Sequence, residues 1–177
     1  MSRIHTPAIE SATGATAEVY AQIKKLAGGV PNTFATIGAH GPVALKAVLA
    51  ADGALAAGTL SRQEQETIKL VVSEVAGCDY CVAAHRLLGK MTGLKPEVLT
   101  QIRAGVATGD AKRDALVHFV RKLQQTSGTI SEAEVSAIKA AGYTDAQIVD
   151  ISLAIAVTVF TNVFNRINDT VLDFPAV

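Results

Sequence analysis

The two cysteines of this chain lie three residues apart, at Cys78 and Cys81, and His85 follows four residues after the second. Residues three and four apart share one face of a helix. The two thiols are therefore near enough to close a disulfide, and the His85 imidazole is near enough to take a proton from Cys81. This spacing predicts redox chemistry.

A cysteine reacts as its thiolate, so a reactive cysteine needs surroundings that lower its pKa from about 8.5. Gly77 interrupts the preceding apolar segment, which places Cys78 near a helix N-terminus, where free N–H groups favour an anion. His85 favours Cys81 instead, as a base or as a stabilising imidazolium. Glu66 can reach and orient His85 if the chain folds back about Gly77. We expect the effect of His85 to prevail and Cys81 to have the lower pKa.

Two simpler interpretations of this motif exist. Cysteines within a helix are often small buried apolar residues without a chemical role. The second interpretation is a zinc site. However, Cys78, Cys81 and His85 would supply three ligands from one short segment, and no second Cys-x-x-Cys completes a tetrahedron. We therefore favour redox chemistry and expect no metal or other cofactor. The remaining histidines have no acidic or thiol neighbours in a recognisable pattern and are expected at the surface or at helix caps: His5, His40 and His118.

Composition narrows the class of protein. At 177 residues the chain is long enough for one domain, spanning residues 1–177, with a substantial core. Its 16 Lys and Arg balance 16 Asp and Glu, and no basic stretch is interleaved with aromatics, which argues against a nucleic-acid partner. No apolar stretch follows Met1–Pro7, so we expect no signal peptide and a cytoplasmic location. In that compartment a Cys-x-x-Cys is more often catalytic or metal-binding than structural.

Helix signals recur along the chain, and no pair of alternating strands is evident. Ser61 with Glu64 forms a capping box before the apolar stripe 67–76, and the cysteine-bearing helix is expected over about 78–91. The pattern predicts an all-α bundle of seven to nine helices. The other predicted helices are 16–27, one opened by Pro31, one from Pro42 to Gly58, one begun by Pro96, one capped by Asp110, 135–141, and a long last helix capped by Thr144.

The last helix contains the longest apolar run, Ile148–Phe164. Polar residues interrupt it, so a membrane span is not expected, and we interpret it as a helix buried on most sides. Apolar residues make up 49% of the chain, which predicts that part of the surface is covered by other subunits. Asn162, Asn165 and Asn168 recur every three residues, a pattern best explained by capping or by hydrogen bonds between helices.

One set of residues resembles the core signature of the alkylhydroperoxidase D-like members of the carboxymuconolactone decarboxylase superfamily: Leu60, Ser61, Glu66, Gly77, Cys78, Asp79, Tyr80, Cys81 and His85. The spacing Glu-x11-Cys-x2-Cys-x3-His is met residue for residue. The resemblance extends over essentially the whole chain, because further segments are similar to the peroxidase-related subgroup. These segments are Gly29-Val30-Pro31-Asn32, the three asparagines of the last helix, and Asp173-Phe174-Pro175.

The resemblance implies an all-helical fold, assembly into homotrimers or homohexamers, and peroxiredoxin-like, thiol-dependent reduction of hydroperoxides, an antioxidant activity. In that family the second cysteine attacks the peroxide. Carried over, Cys81 is the peroxidatic thiol, Cys78 resolves it to a disulfide that an external dithiol reduces, and Glu66 and His85 relay protons. The best-known members carry a second histidine just before the second cysteine. This chain has Tyr80 there, so any role of that histidine is absent.

Two other functions remain open at the level of the sequence. One is a carboxymuconolactone decarboxylase-like lyase, in which His85 or Glu66 is the general base and the cysteines are dispensable. Decarboxylase members generally lack the cysteine pair, which ranks this function second. The other is a non-enzymatic, redox-sensing scaffold whose disulfide reports oxidation.

Overall fold

The computed structural model describes residues 2–175 and, over that range, contains nine α-helices, one short 3-10 helix at Ile9–Ser11 and no strand. The prediction of an all-α bundle of seven to nine helices is confirmed. The helices are α1 (Gly14–Ala27), α2 (Asn32–His40), α3 (Pro42–Ala57), α4 (Arg62–Val75), α5 (Asp79–Met91), α6 (Pro96–Ala104), α7 (Ala111–Gln125), α8 (Glu132–Ala140) and α9 (Asp145–Asn168).

Capping boxes set the starts of three helices. At α4, the Ser61 side chain accepts from the backbone N–H of Glu64, and the Glu64 carboxylate accepts from the N–H of Ser61 at 2.8 Å. The same arrangement begins α8 at Ser131 and α9 at Thr144. The predicted apolar stripes 67–76 and 135–141 are shorter than α4 and α8. The first turns of α4 and α8 are mostly polar. The apolar pattern therefore does not include these turns, whereas the capping box marks where each helix begins.

Helix α4 lies at the centre of the bundle, in contact with α5, α6, α7 and α9. Its apolar residues other than Val75, at the C-terminal end, are fully buried, together with residues of α7 and α9. Because α4 is enclosed, its polar side chains are also removed from water and need partners. Those buried polar residues are Gln65, Glu66, Thr67 and Ser73, and the core around them includes Ile68, Leu70, Val71, Val72, Leu116, Val120, Ile151 and Ala154.

A tight connection joins α4 to α5. Gly77 adopts φ +62°, in the left-handed region that disfavours side chains, and the N–H of Cys78 returns to the carbonyl of Ser73 at 3.1 Å. The chain thus folds back about Gly77, as the sequence suggested, and α5 packs against α4. This reversal brings residues from the first half of α4 beside the second turn of α5.

Helix α9 differs from its sequence-based interpretation. The expectation of burial on most sides was wrong, because only one face of α9 packs on the core and several large apolar residues are open to solvent. By length and mean hydropathy, α9 is also the one helix among residues 2–175 that is long and apolar enough to cross a membrane. The exposed residues of this helix are Val149 at 67%, Phe160 at 40%, Val163 at 53% and Ile167 at 58%.

Candidate active site

Cys78 is the N-cap residue of α5. Its sulfur accepts a hydrogen bond from the backbone N–H of Cys81 at 3.4 Å, as the oxygen of a serine or aspartate does at an ordinary cap. Both cysteines are reduced, with exposed fractions of only 2% and 3%. The predicted position of Cys78 at a helix N-terminus is therefore confirmed.

Cys81 lies in the first turn of α5 and meets a different partner. Its sulfur accepts a hydrogen bond from Nδ2 of Asn165 in α9, at 3.2 Å. The Asn165 carbonyl oxygen accepts from the Thr33 hydroxyl of α2 at 2.7 Å. Because a hydroxyl donates to that oxygen, the amide group of Asn165 is held with its NH₂ towards sulfur. Both residues are buried. The sequence left capping and hydrogen bonding between helices as alternatives for Asn165; the structure shows the second, with a sulfur partner that the sequence did not reveal.

These contacts separate the two thiols electrostatically. The pKa of Cys78 is lowered, first by a hydrogen bond from the Cys81 thiol, then by the Cys81 backbone N–H and the positive charge of Arg166, against the opposing effects of burial and Asp79. The pKa of Cys81 is raised, because its proton is held by Cys78 and because burial penalises the thiolate. The order is the reverse of the one expected from His85. Within residues 2–175, no hydrogen bond joins the His85 ring to either sulfur.

Glu66 and His85 form the second pair of the site. Glu66 Oε2 lies 2.9 Å from His85 Nδ1, so the predicted contact across the α4–α5 connection is confirmed. Burial opposes ionisation of Glu66, but the charge and hydrogen bond of His85, with smaller effects from Lys69 and Arg62, outweigh it and hold the carboxyl pKa below its ordinary value. An ionised carboxylate only accepts, so Nδ1 carries a proton and Nε2 is the ring nitrogen left for other partners.

Tyr80 occupies the place where the best-known relatives have histidine. Its hydroxyl accepts from the backbone N–H of Thr33 at 3.3 Å, and its ring meets the edge of Phe174 at 5.3 Å between centroids. Burial raises the pKa of Tyr80 well above its ordinary value, so the phenol stays neutral. Tyr80 therefore packs and positions, and no proton relay runs through it at neutral pH.

The C-terminal segment covers the cysteine pair. Phe174 packs against the cluster formed by Tyr80 and the two cysteines. The segment is held in place by α2, because Asp173 Oδ2 accepts from the N–H of Asn32 at 2.8 Å and the Asn32 side chain donates to the carbonyl of Val171 at 2.9 Å. This cover keeps the sulfurs in an apolar environment.

The other histidines lie apart from the site. His5, His40 and His118 are exposed, as expected, and the His40 ring bonds to the carbonyl oxygen of His5 at 2.9 Å. Over residues 2–175, no group of three or more His, Cys, Asp or Glu side chains is placed to hold a metal ion. The arrangement that remains is two neighbouring buried thiols, each accepting a hydrogen bond through sulfur, and a carboxylate–imidazole pair.

A model of the carboxymuconolactone decarboxylase family matches residues 42–122, a range that includes both thiols, Glu66 and His85. The structure is similar to that of an alkylhydroperoxidase AhpD core, a peroxidase-related protein from Ralstonia eutropha JMP134. The two share 27% identity with a TM-score of 0.86, covering 97% of this chain and 92% of that one. Residues 42–122 therefore match the carboxymuconolactone decarboxylase family, and the structure as a whole is similar to an AhpD-like protein. The resemblance of the chain to the alkylhydroperoxidase D-like members, inferred from the sequence, is confirmed.

Other solved structures share this fold. A peroxidase-related protein from Silicibacter sp. TM1040 has 24% identity and a TM-score of 0.78, covering 96% of this chain and 92% of that one. The debrominase Bmp8 has 16% identity and a TM-score of 0.81, covering 97% and 92%. At these identities the likeness concerns the fold alone. No protein of curated function matches the chain.

Proposed function

We propose that this protein is a thiol-dependent peroxidase that reduces hydroperoxides through the Cys78–Cys81 pair. One observation carries the proposal: of two free, buried cysteines, Cys78 accepts a hydrogen bond through its sulfur from a backbone N–H at a helix N-terminus, beside an ionised Glu66 that holds His85. A thiolate prepared in this way is the nucleophile that peroxide reduction needs.

Cys78 attacks in this proposal, which reverses the order implied by the family resemblance. Its thiolate attacks the terminal peroxide oxygen, the O–O bond breaks, and the sulfur is oxidised by two electrons to a sulfenic acid. The alkoxide that leaves takes a proton and departs as the alcohol. The Cys81 sulfur then loses its proton and attacks the Cys78 sulfur. A disulfide forms, and hydroxide leaves as water after protonation.

His85 and Glu66 handle the protons of both steps. His85 Nε2 gives a proton to the leaving alkoxide and later accepts the one that Cys81 releases. Glu66 holds the ring through Nδ1. An external dithiol completes the cycle by attacking the disulfide and forming a mixed disulfide, so a reducing compartment such as the cytoplasm suits this protein.

The proposal is tested by following hydroperoxide consumption in the presence of a small dithiol. We expect the wild-type protein to consume peroxide over many turnovers and the double variant Cys78→Ser/Cys81→Ser to consume none above background. Circular dichroism checks that the variant keeps its helices. If the wild-type protein forms a disulfide once and never turns over, it is a redox sensor and not a peroxidase.

A lyase of the carboxymuconolactone decarboxylase type is the second candidate. The observation that favours it is the Glu66–His85 pair, which makes a general base without help from sulfur. This function predicts that the double serine variant keeps its activity on a muconolactone substrate while His85→Gln loses it. The peroxidase proposal predicts no decarboxylation by any of these proteins.

We also propose that the protein is a homotrimer or homohexamer. Exposed apolar residues lie on α9 before the last turns of the helix: Val149, Ala156 and Phe160 are seven and four residues apart, so they share one face. Such a stripe is typical of a helix that packs on another subunit. Light scattering coupled to size exclusion should give three or six subunits for the wild type and a smaller assembly for Phe160→Glu. A wild-type monomer at micromolar concentration would contradict the proposal.

A further inference from the structure

A cavity of about 500 Å³ lies between the N-terminal segment, the α4–α5 connection and the second half of α9. Small-molecule sites commonly have volumes of about 300–1,000 Å³. One wall is Ala76, two residues before Cys78, and the cavity also reaches Arg3 and Arg166. It is therefore next to the α4–α5 connection, which positions the proposed nucleophile.

The charged residues that line this cavity are all positive. Arg3 and Arg166 both line it, no acidic residue does, and neither arginine forms an ion pair with any residue in the described part of the chain. Each guanidinium is anchored through one nitrogen. Arg3 Nη1 donates to the carbonyl of Ile167 at 3.1 Å, and Arg166 Nη1 donates to the carbonyl of Ala76 at 2.6 Å. The other N–H groups of both side chains remain available to an anion.

A buried amide adds a third unused donor. Asn162 lines the cavity and is 2% exposed. Its carbonyl oxygen accepts from the Ser73 hydroxyl at 3.2 Å, whereas its Nδ2 has no hydrogen-bond acceptor within residues 2–175. A buried donor without a partner is uncommon in native proteins and calls for an explanation. An acceptor group bound in the adjoining cavity supplies one.

Apart from Gln124 of α7, the rest of the lining is apolar. Val159, Val163 and Ile167 lie on one side of α9 and form a hydrophobic wall beside the two arginines. Val163 and Ile167 are more than half exposed, so a ligand that covers them removes apolar surface from water. The cavity thus offers cationic donors and a hydrophobic wall together, which suits a molecule with an anionic end and an aliphatic body.

We propose that this cavity binds the carboxylate and aliphatic chain of an organic hydroperoxy acid, so that the substrates are peroxidised fatty-acid-like molecules. This inference rests on the proposed peroxidase function. Arg3 and Arg166 bind the carboxylate through their planar N–H pairs, which match carboxylate geometry. The chain lies along the apolar wall. Neutral hydroperoxides and hydrogen peroxide lack the anionic group and bind without this contribution.

Calorimetric titration with octanoate tests the site without any chemistry. Octanoate carries the carboxylate and the chain but no peroxide. We expect saturable binding to the wild-type protein, at least about tenfold weaker for Arg3→Gln and for Arg166→Gln, because each loses a charge-assisted contact. Lys25→Gln is the control, since it removes an equal charge from an exposed position of α1, away from the cavity. Octan-1-ol should bind more weakly than octanoate to the wild type.

A kinetic comparison joins the site to the reaction. For one hydroperoxy fatty acid and its methyl ester, we expect the wild type to show a KM about tenfold lower for the acid. That ratio should fall towards one in Arg3→Gln and stay unchanged in Lys25→Gln. Equal KM values for acid and ester in the wild type would overturn the inference while leaving peroxidase activity intact. Octanoate binding through the arginines without turnover of any hydroperoxide would instead contradict the proposed function.

Association between subunits is the competing explanation of the same arginines. Light scattering on Arg3→Gln and Arg166→Gln decides between the two. If both variants change the mass of the assembly and bind octanoate as tightly as the wild type, the arginines serve contacts between copies and the inference is wrong. An unchanged mass with weakened octanoate binding supports it.

Discussion

Cys78 and Cys81 lie three residues apart and have different surroundings. Cys78 is at the end of a helix, where a backbone N–H, the neighbouring thiol and the charge of Arg166 all favour its thiolate. Cys81 is inside the first turn, where it is a donor to Cys78 and an acceptor only from Asn165. The difference teaches that position relative to the helix end separates the two thiols, and our proposal therefore makes Cys78 the nucleophile and Cys81 the resolving group.

Replacing each thiol separately should give the largest and most unequal effects. We expect Cys78→Ser to reduce hydroperoxide consumption to the uncatalysed background, because the nucleophile is gone. Cys81→Ser should still consume about one equivalent of peroxide per subunit before stopping, because attack is intact and resolution is lost. Rapid-mixing peroxide assays without reductant measure both. Equal loss of the first equivalent in the two variants would remove the distinction between the thiols.

His85→Gln should have the next largest effect, a fall in kcat. Loss of a general acid and base costs about 10²–10⁴-fold, so we expect kcat to fall by at least about 100-fold. Glu66→Gln should cost less, about tenfold, since Glu66 acts through the ring. Glu66→Asp is the matched control, because it keeps the charge but shortens the reach to Nδ1. Steady-state kinetics with saturating dithiol report these values, and an unchanged kcat for His85→Gln would remove the relay from the mechanism.

Asn165→Ala should affect only the step in which Cys81 reacts. Without the Nδ2 donor, the Cys81 thiolate is less stabilised, its pKa rises further, and disulfide formation slows by about three- to tenfold while attack by Cys78 is unchanged. Stopped-flow measurement of the two phases separates them. Thr33→Val should weaken the same step because the amide loses its fixed orientation, and Thr33→Ser, which keeps the hydroxyl, should restore it. A slowed attack phase would mean that Asn165 serves Cys78.

Among the effects on the thiols, that of Arg166→Gln should be the smallest, and it should concern Cys78 and not Cys81. The charge of Arg166 lowers the pKa of Cys78, so removing it should raise that pKa, and the pH at which alkylation reaches half its maximum rate should move upward. In the wild type this reactivity persists below the ordinary thiol pKa and is lost as pH falls through the depressed value. Iodoacetamide alkylation followed by peptide mapping measures it, and Lys25→Gln again serves as control. A downward shift would contradict the assigned electrostatics.

The sequence predicted those parts of the site that depend on local structure. Capping boxes, the break at Gly77 and helical spacing were enough to place Cys78 at a helix start and Glu66 beside His85. The Asn165 contact was out of reach, because it joins residues 84 apart in the chain and its Thr33 support joins residues 132 apart. Only the packing of α2, α5 and α9 creates those neighbours.

The error over α9 has a similar origin. Apolar residues all round a helix predict burial, but they do not tell a protein core from a surface that another subunit or a ligand covers. Val163 and Ile167 lie on such a surface, which in our proposal a ligand covers. The order of the two thiol pKa values was mistaken because spacing places His85 on the correct face of α5 without fixing the direction of its ring, which Glu66 holds.

Trapping of the sulfenic acid with dimedone tests the central claim most directly. After one equivalent of hydroperoxide, dimedone forms a stable thioether with whichever sulfur was oxidised, and peptide mass spectrometry locates it. The assignment of attack to Cys78 predicts labelled Cys78 in Cys81→Ser and no label in Cys78→Ser. Labelled Cys81 in Cys78→Ser, with unlabelled Cys78 in Cys81→Ser, would contradict it and restore the order that the family resemblance implied.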